Sequence, residues 1–93
     1  MTSNKDDWVV YLTECSDKTL YCGITNNIIS RLKKHNSGKG AKYTRGRRPV
    51  KLVCVSKTMS KSEALKLEHR VKSLKKQDKK TYIENTLKSE IKR

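Results

Sequence analysis

Six side chains stand out for their types and spacing. Asn27, Arg31 and His35 recur every four residues, so on a helix they share one face. Tyr11 and Tyr21 flank the turn-forming Ser16-Asp17-Lys18, and pairing across that turn brings them close, with the register deciding whether they share a face. Glu68 is the most informative. At about 100° per residue, Ala64, Leu65, Leu67, Val71 and Leu74 form one apolar arc, and Glu68 falls inside it. A carboxylate there is costly unless it is paired or binds a metal. Two readings stay open: an ion pair with Arg31 or a lysine, or a ligand for a hard cation. Tyrosines in strands and an arginine on a basic helix each have bland explanations, as packing and as solvated surface.

The charge balance says what such a set would work on. The chain has 93 residues, 23 Lys+Arg against 9 Asp+Glu, and a formal net charge of +14. A field of that size concentrates polyanions, and nucleic acid is the default partner, DNA first with RNA equally chargeable. No Asp or Glu lies between Asp17 and Glu63, whereas nine Lys and Arg fall from Arg31 to Lys51. Within that track, Lys34 on the expected helix offers a phosphate contact, as do Lys39, Lys42, Arg45, Arg47 and Arg48 in a glycine- and arginine-rich loop from Gly38 to Pro49, where Tyr43 adds a stacking surface.

Phosphodiester hydrolysis needs a base for water, a cation for the phosphorane charge, often a metal, and a backbone held in line. Tyrosine at its ordinary pKa of about 10 is a poor base unless arginine or a metal stands near. A lone carboxylate suits one Mg²⁺ or Mn²⁺ that keeps most of its waters.

Composition bounds the rest. Ninety-three residues make one domain with a modest core, too small for a large ligand cavity. Cys15, Cys22 and Cys54 form no CxxC pair, and His35 and His69 lack finger-like spacing, so neither a disulfide framework nor a zinc site is indicated. Free thiols, no signal-peptide pattern and no apolar run of spanning length lead to the expectation of a cytoplasmic chain without a membrane partner.

The elements that must position these residues are readable in outline. Residues 1–7 are polar and expected to fray. Trp8–Leu12 and Leu20–Ile24 read as strands of a hairpin. Asn27 caps a helix reaching His35, with Ile28 and Leu32 on a stripe expected to bury against the sheet and Arg31 at its edge. Val50–Val55 suits a third strand. Ser60 and Glu63 fit a capping box opening a helix to about Lys76; Gln77-Asp78 offers a restart for a last helix, whose C-terminal stretch is taken as 81–93, with Ile83, Leu87 and Ile91 on one face. The order β-β-α-β-α-α predicts an α+β domain, a small sheet covered by helices.

Taken together, VVY, YCG, NNIISRLKKHNSG, GAKYTR and ALKLEHRVK, in that order from Trp8 to about Lys80, resemble the GIY-YIG nuclease superfamily. The likeness is strongest to its small stand-alone bacterial branch, and the chain is also similar to the N-terminal nuclease domain of the incision component of the bacterial repair excinuclease. Val9-Val10-Tyr11 stands where the family has GIY, and Tyr21-Cys22-Gly23 where it has YIG. Ile24 follows the glycine where some active relatives have a lysine.

The resemblance implies a three-stranded antiparallel sheet flanked by helices. It assigns a general base to Tyr11 or Tyr21, phosphate stabilisation to Arg31, a position beside the active site to His35, and a divalent metal to Glu68. The implied activity is a metal-dependent DNA endonuclease or nickase, in repair or recombination, with a protein partner or the 38–49 loop supplying specificity. The competing reading is a non-catalytic nucleic-acid-binding module or adaptor on the same fold.

Overall fold

A computed structural model describes the backbone of residues 6–91 and the side chains of residues 6–87. The expectations for residues 1–5, for the Ile91 side chain and for residues 92–93 lie outside that range. Asp6 and Asp7 are exposed.

Strands β1 (Val9–Glu14) and β2 (Leu20–Thr25) form the expected hairpin, closed by a turn with Lys18 at φ 72°. Asp17 makes that turn: its Oδ1 accepts from the Thr19 backbone N–H at 3.1 Å and from the Thr19 hydroxyl at 2.6 Å. Strand β3 (Lys51–Val55) pairs with the other edge of β1, so the antiparallel order is β2-β1-β3. A bulge between Leu12 and Thr13 shifts the β1–β3 register. Trp8 lies outside β1 and makes an isolated bridge to Met59.

Four helices complete the chain: α1 (Ile28–Asn36), α2 (Lys42–Arg45), α3 (Lys61–Lys72) and α4 (Lys76–Ile91). The predicted order holds, with the one-turn α2 added inside the basic loop. Asn27 caps α1 by accepting from the Ser30 N–H at 3.1 Å. Ser60 and Glu63 close the capping box of α3 in both directions. Two boundaries move. Helix α3 ends at Lys72 rather than near Lys76, because Ser73 caps it, its hydroxyl donating to the Arg70 carbonyl at 2.7 Å. The last helix starts at Lys76, beside the expected restart at Gln77-Asp78 and ahead of 81, with the Asp78 carboxylate in its first turn.

The period-2 pleat sorts the sheet into two faces. Val10, Leu12, Cys22 and Cys54 face α3 and α4 and form the core with Ala64, Val71 and Ile83. All three cysteines are free and buried; burial, with Glu68 nearby, pushes the Cys22 thiol up to about 12, and burial, with Glu84, pushes Cys54 to about 11. Both thiols behave as small apolar groups. The opposite face carries Tyr11 and Tyr21, covered by α1 and α2. Among the described residues no helix is long and apolar enough to cross a membrane.

Gly23 sits directly across from Tyr11 in the hairpin. A Cβ at Gly23 would lie 2.6 Å from the Tyr11 hydroxyl oxygen. Only glycine lets the Tyr11 ring lie across its strand neighbour. Gly46, by contrast, faces open space: a Cβ there meets nothing within 4 Å. Gly23→Ala is therefore expected to destabilise the fold by about 1–3 kcal/mol in urea unfolding, while Gly46→Ala stays within about 0.5 kcal/mol of wild type. Equal midpoints for the two variants would contradict this packing.

Candidate active site

The hub is His35, at the end of α1 and fully buried. Its Nδ1 lies 2.7 Å from the Thr44 hydroxyl oxygen and its Nε2 lies 2.9 Å from the Tyr11 hydroxyl oxygen. Thr44 donates its own hydroxyl proton to the Ala41 carbonyl at 2.9 Å. It can therefore only accept from His35, which puts the ring proton on Nδ1. Nε2 is then an acceptor, and Tyr11 donates to it. Arg31 Nε–H donates to the same Tyr11 oxygen at 3.4 Å. The line Ala41–Thr44–His35–Tyr11–Arg31 joins α2, α1 and β1. Gly40 makes room for it, since a Cβ there would overlap the His35 ring.

Tyr21 closes the aromatic group. Its ring centroid lies 6.3 Å from Tyr11, 5.3 Å from His35 in an edge contact, and 5.9 Å from Tyr43 in a stacked one. The Arg47 guanidinium sits 4.1 Å from the Tyr43 ring centroid and binds Asp17 at 2.9 Å. Tyr11 is fully buried, whereas Tyr21 is half-buried and reaches the surface. Register thus gives the two tyrosines a common face.

Electrostatics follow from this packing. Burial, with Tyr21 nearby, raises the Tyr11 phenol to about 12 despite the Arg31 hydrogen bond. Tyr11 is therefore a proton donor at neutral pH. Burial and then the Arg31 charge hold His35 below its ordinary value, so the ring is neutral. Arg31 is held above its usual value, first by its hydrogen bond to Tyr11 and also by Tyr21.

Glu68 lies on α3, which packs along β2. Its carboxylate pairs with Lys72 one turn on, Nζ to Oε2 3.1 Å, with 19% of the Glu68 side chain exposed. Burial pulls the Lys72 ammonium down, but the Glu68 hydrogen bond and charge outweigh this, and Tyr21 and Cys22 add to them. The lysine of the open ion-pair reading is thus Lys72, not Arg31. The apolar arc of α3 is narrower than predicted. Ala64 and Val71 are buried, but Leu65 is 47% exposed, so Glu68 borders the core rather than sitting within it. Among the described residues no group of three or more His, Cys, Asp or Glu could hold a metal. One carboxylate fits only an ion that keeps most of its waters, as hydrated Mg²⁺ does.

The stripe of Ile28 and Leu32 is only half-buried, and His35 takes the buried position instead. The sheet surface beneath α1 presents the Tyr11 hydroxyl, which an imidazole can satisfy and an aliphatic chain cannot. The basic loop is ordered, with Thr44 fully buried. Lys34, Lys39, Lys42 and Tyr43 are exposed. The loop arginines donate to loop carbonyls: Arg45 to Gly40 at 3.3 Å, Arg47 to Tyr43 at 2.8 Å, Arg48 to Arg45 at 3.1 Å. Sequence reasoning passes over Thr44 and Lys72. Thr44 stands in the quoted GAKYTR, and Lys72 stands at i+4 from Glu68, a pairing distance on any helix.

Comparison with known proteins gives the family. The family model described as "GIY-YIG catalytic domain" matches residues 7–83. The UPF0213 protein OB0043 of Oceanobacillus iheyensis is 49% identical, over 81% of this chain and 87% of the relative. A UPF0213 protein of Syntrophus aciditrophicus is 56% identical, over 75% and 82%. The solution structure of the UPF0213 protein BH0048 from Bacillus halodurans is similar with a TM-score of 0.50 and 45% identity, over 83% of this chain and 82% of that one.

A neutral buried His35 makes stability pH-dependent. The unfolded chain takes up a proton near the ordinary imidazole value of 6.5, and the folded chain only at lower pH. The contribution is fully present above 6.5 and lost as pH falls through the depressed value. Urea midpoints of wild type are expected to drop from pH 7 to 5, by at most about 1.4 kcal/mol per pH unit from this group. His35→Asn is less stable at pH 7 and loses that part of the slope. Parallel pH profiles would contradict a neutral buried imidazole.

Proposed function

We propose a nuclease that cuts the phosphodiester backbone of DNA, on the premise that this chain belongs to the GIY-YIG catalytic domain family. The observation that carries this reading is the gathering of Tyr11, Tyr21, His35 and Arg31 on one face of the sheet, at the border of the basic loop.

Each residue has a distinct part. Tyr21, the tyrosine at the surface, aligns the attacking water. Arg31, held by the Tyr11 oxygen, offsets the charge that grows on the phosphorane. The proton leaving water passes through the Tyr21 hydroxyl to solvent, because the Tyr11 oxygen is buried and already engaged by His35 and Arg31. Thr44 keeps Nδ1–H engaged, so Nε2 stays an acceptor for Tyr11 and the Tyr11 oxygen keeps its lone pairs toward Arg31. The new oxygen–phosphorus bond forms as the bond to the leaving oxygen breaks, and that oxygen takes its proton from solvent. Glu68 would hold a hydrated Mg²⁺ or Mn²⁺, whose chemistry is charge neutralisation at the phosphate. Lys72 stands beside Glu68 as a second cation.

Supercoiled plasmid incubated with the protein and Mg²⁺ or Mn²⁺ tests the reading. Wild type is expected to nick it and to stop on addition of EDTA. Arg31→Ala should lose about 10²–10³-fold in rate, and Glu68→Gln should abolish nicking while still binding DNA. Full activity in Glu68→Gln would remove the metal assignment. Salt-sensitive binding without nicking under either metal would leave a binding module in place of the enzyme.

A further inference from the structure

Beside the site, the basic loop encloses an open cavity of about 500 Å³ lined by Asn36, Arg45, Gly46, Arg48 and Pro49. Two of its five lining residues carry guanidinium groups, and the backbone fixes how both are aimed. Arg48 donates Nε–H to the Arg45 carbonyl at 3.1 Å and Nη1–H to the Asn36 carbonyl at 3.4 Å. It also packs on Gly38, at φ 87°, where a Cβ would come within 3.1 Å of Nη1. Arg45 donates Nε–H to the Gly40 carbonyl at 3.3 Å. A guanidinium has five N–H donors. Nη2 of Arg48 and both terminal nitrogens of Arg45 therefore keep donors that no hydrogen bond uses among the described residues. Asn36 is occupied too: its amide exchanges hydrogen bonds with Val50 N and O at 2.8 and 3.2 Å. Arg47 differs, because Asp17 already holds its fork.

We propose that this cavity is a subsite for a second backbone phosphate of a bound nucleic-acid strand, next to the one cleaved. Three observations carry it. The lining has donors to spare and no carboxylate. The forks are already oriented, so binding a planar-recognised oxyanion orders little that is not ordered already. The cavity neighbours the site along the chain, since Asn36 follows His35 and Arg45 follows Thr44. A strand crossing the Tyr21–Arg31 face thus meets the two arginines along one side of α1 and α2. The subsite rests on the nuclease reading for the strand's identity, and on its own geometry for phosphate binding.

Gly46 provides a clean test, because it lines the cavity and a Cβ there meets nothing within 4 Å. Binding of a fluorescent DNA duplex is followed by anisotropy in EDTA, where no cleavage occurs, across a salt series. Gly46→Ala should bind as wild type does. Gly46→Asp, its fold checked by thermal melting, should bind about tenfold or more weakly, with a salt slope reduced by about 1. Arg48→Lys keeps the charge and loses the fork, and should weaken binding with the slope kept. Inorganic phosphate should move the Arg45 and Arg48 side-chain resonances of wild type and leave those of Gly46→Asp in place.

A folded Gly46→Asp that binds DNA like wild type would overturn the subsite. So would polyglutamate displacing DNA at equal charge concentration, which would assign the forks to an acidic protein. If Gly46→Asp loses binding but wild type never nicks, the subsite stands and the nuclease reading fails. If wild type nicks and Gly46→Asp binds and nicks equally well, the subsite alone fails.

Discussion

The structure turns on one buried imidazole. His35 has no exposure to water, and both its nitrogens are bound, one by Thr44 and one by Tyr11. A buried polar ring left half-paired would cost the full desolvation of the orphaned atom. The two partners come from different parts of the chain, β1 and α2, so the ring joins the sheet to the basic loop. Arg31 is aimed by the same oxygen that serves His35. Without this line the loop loses its buried anchor, keeping the Arg47–Asp17 and Tyr43–Tyr21 contacts, and Arg31 loses its hydrogen bond to Tyr11.

That constraint explains why two glycines stand where they do. Gly23 lets the Tyr11 ring lie across β2, and Gly40 lets the His35 ring approach the loop backbone. Both act by lacking a Cβ at a close approach. It also explains the division of labour between the faces of the sheet. Val10, Leu12, Cys22 and Cys54 give one face its apolar contact with α3 and α4. The other face is aromatic and polar, and its helix docks through an imidazole rather than through aliphatic side chains. Stability and the aromatic site thus occupy opposite sides of three strands, and Glu68 stands at the border of the core, paired with Lys72.

Much of this is legible in the residues. The aromatic and β-branched residues of β1, the turn residues Ser16-Asp17-Lys18, the caps Asn27 and Ser60, and the four-residue spacing of Arg31 and His35 define the elements and one face of the site. Local periodicity carries such information well. What it carries poorly is depth. An apolar stripe at Ile28 and Leu32 points to burial, yet Ile28 and Leu32 end half-buried, because the surface beneath α1 presents a tyrosine hydroxyl. Leu65 is interior on the wheel, but it lies where the sheet does not reach. Thr44 is hidden for another reason. Its partner is nine residues away across a loop, and no period links the two. The end of α3 escapes the pattern because Ser73 caps it through its own side chain, a choice that propensity alone does not dictate.

The central claim is that His35 is neutral, with its proton on Nδ1 and its Nε2 accepting from Tyr11. Nitrogen NMR of the uniformly ¹⁵N-labelled protein at pH 7 reads this directly. The account predicts a neutral ring with a protonated Nδ1 and an unprotonated Nε2, and in Thr44→Ala a shift of the Nδ1 signal. A proton on Nε2, or an imidazolium at that pH, would contradict it.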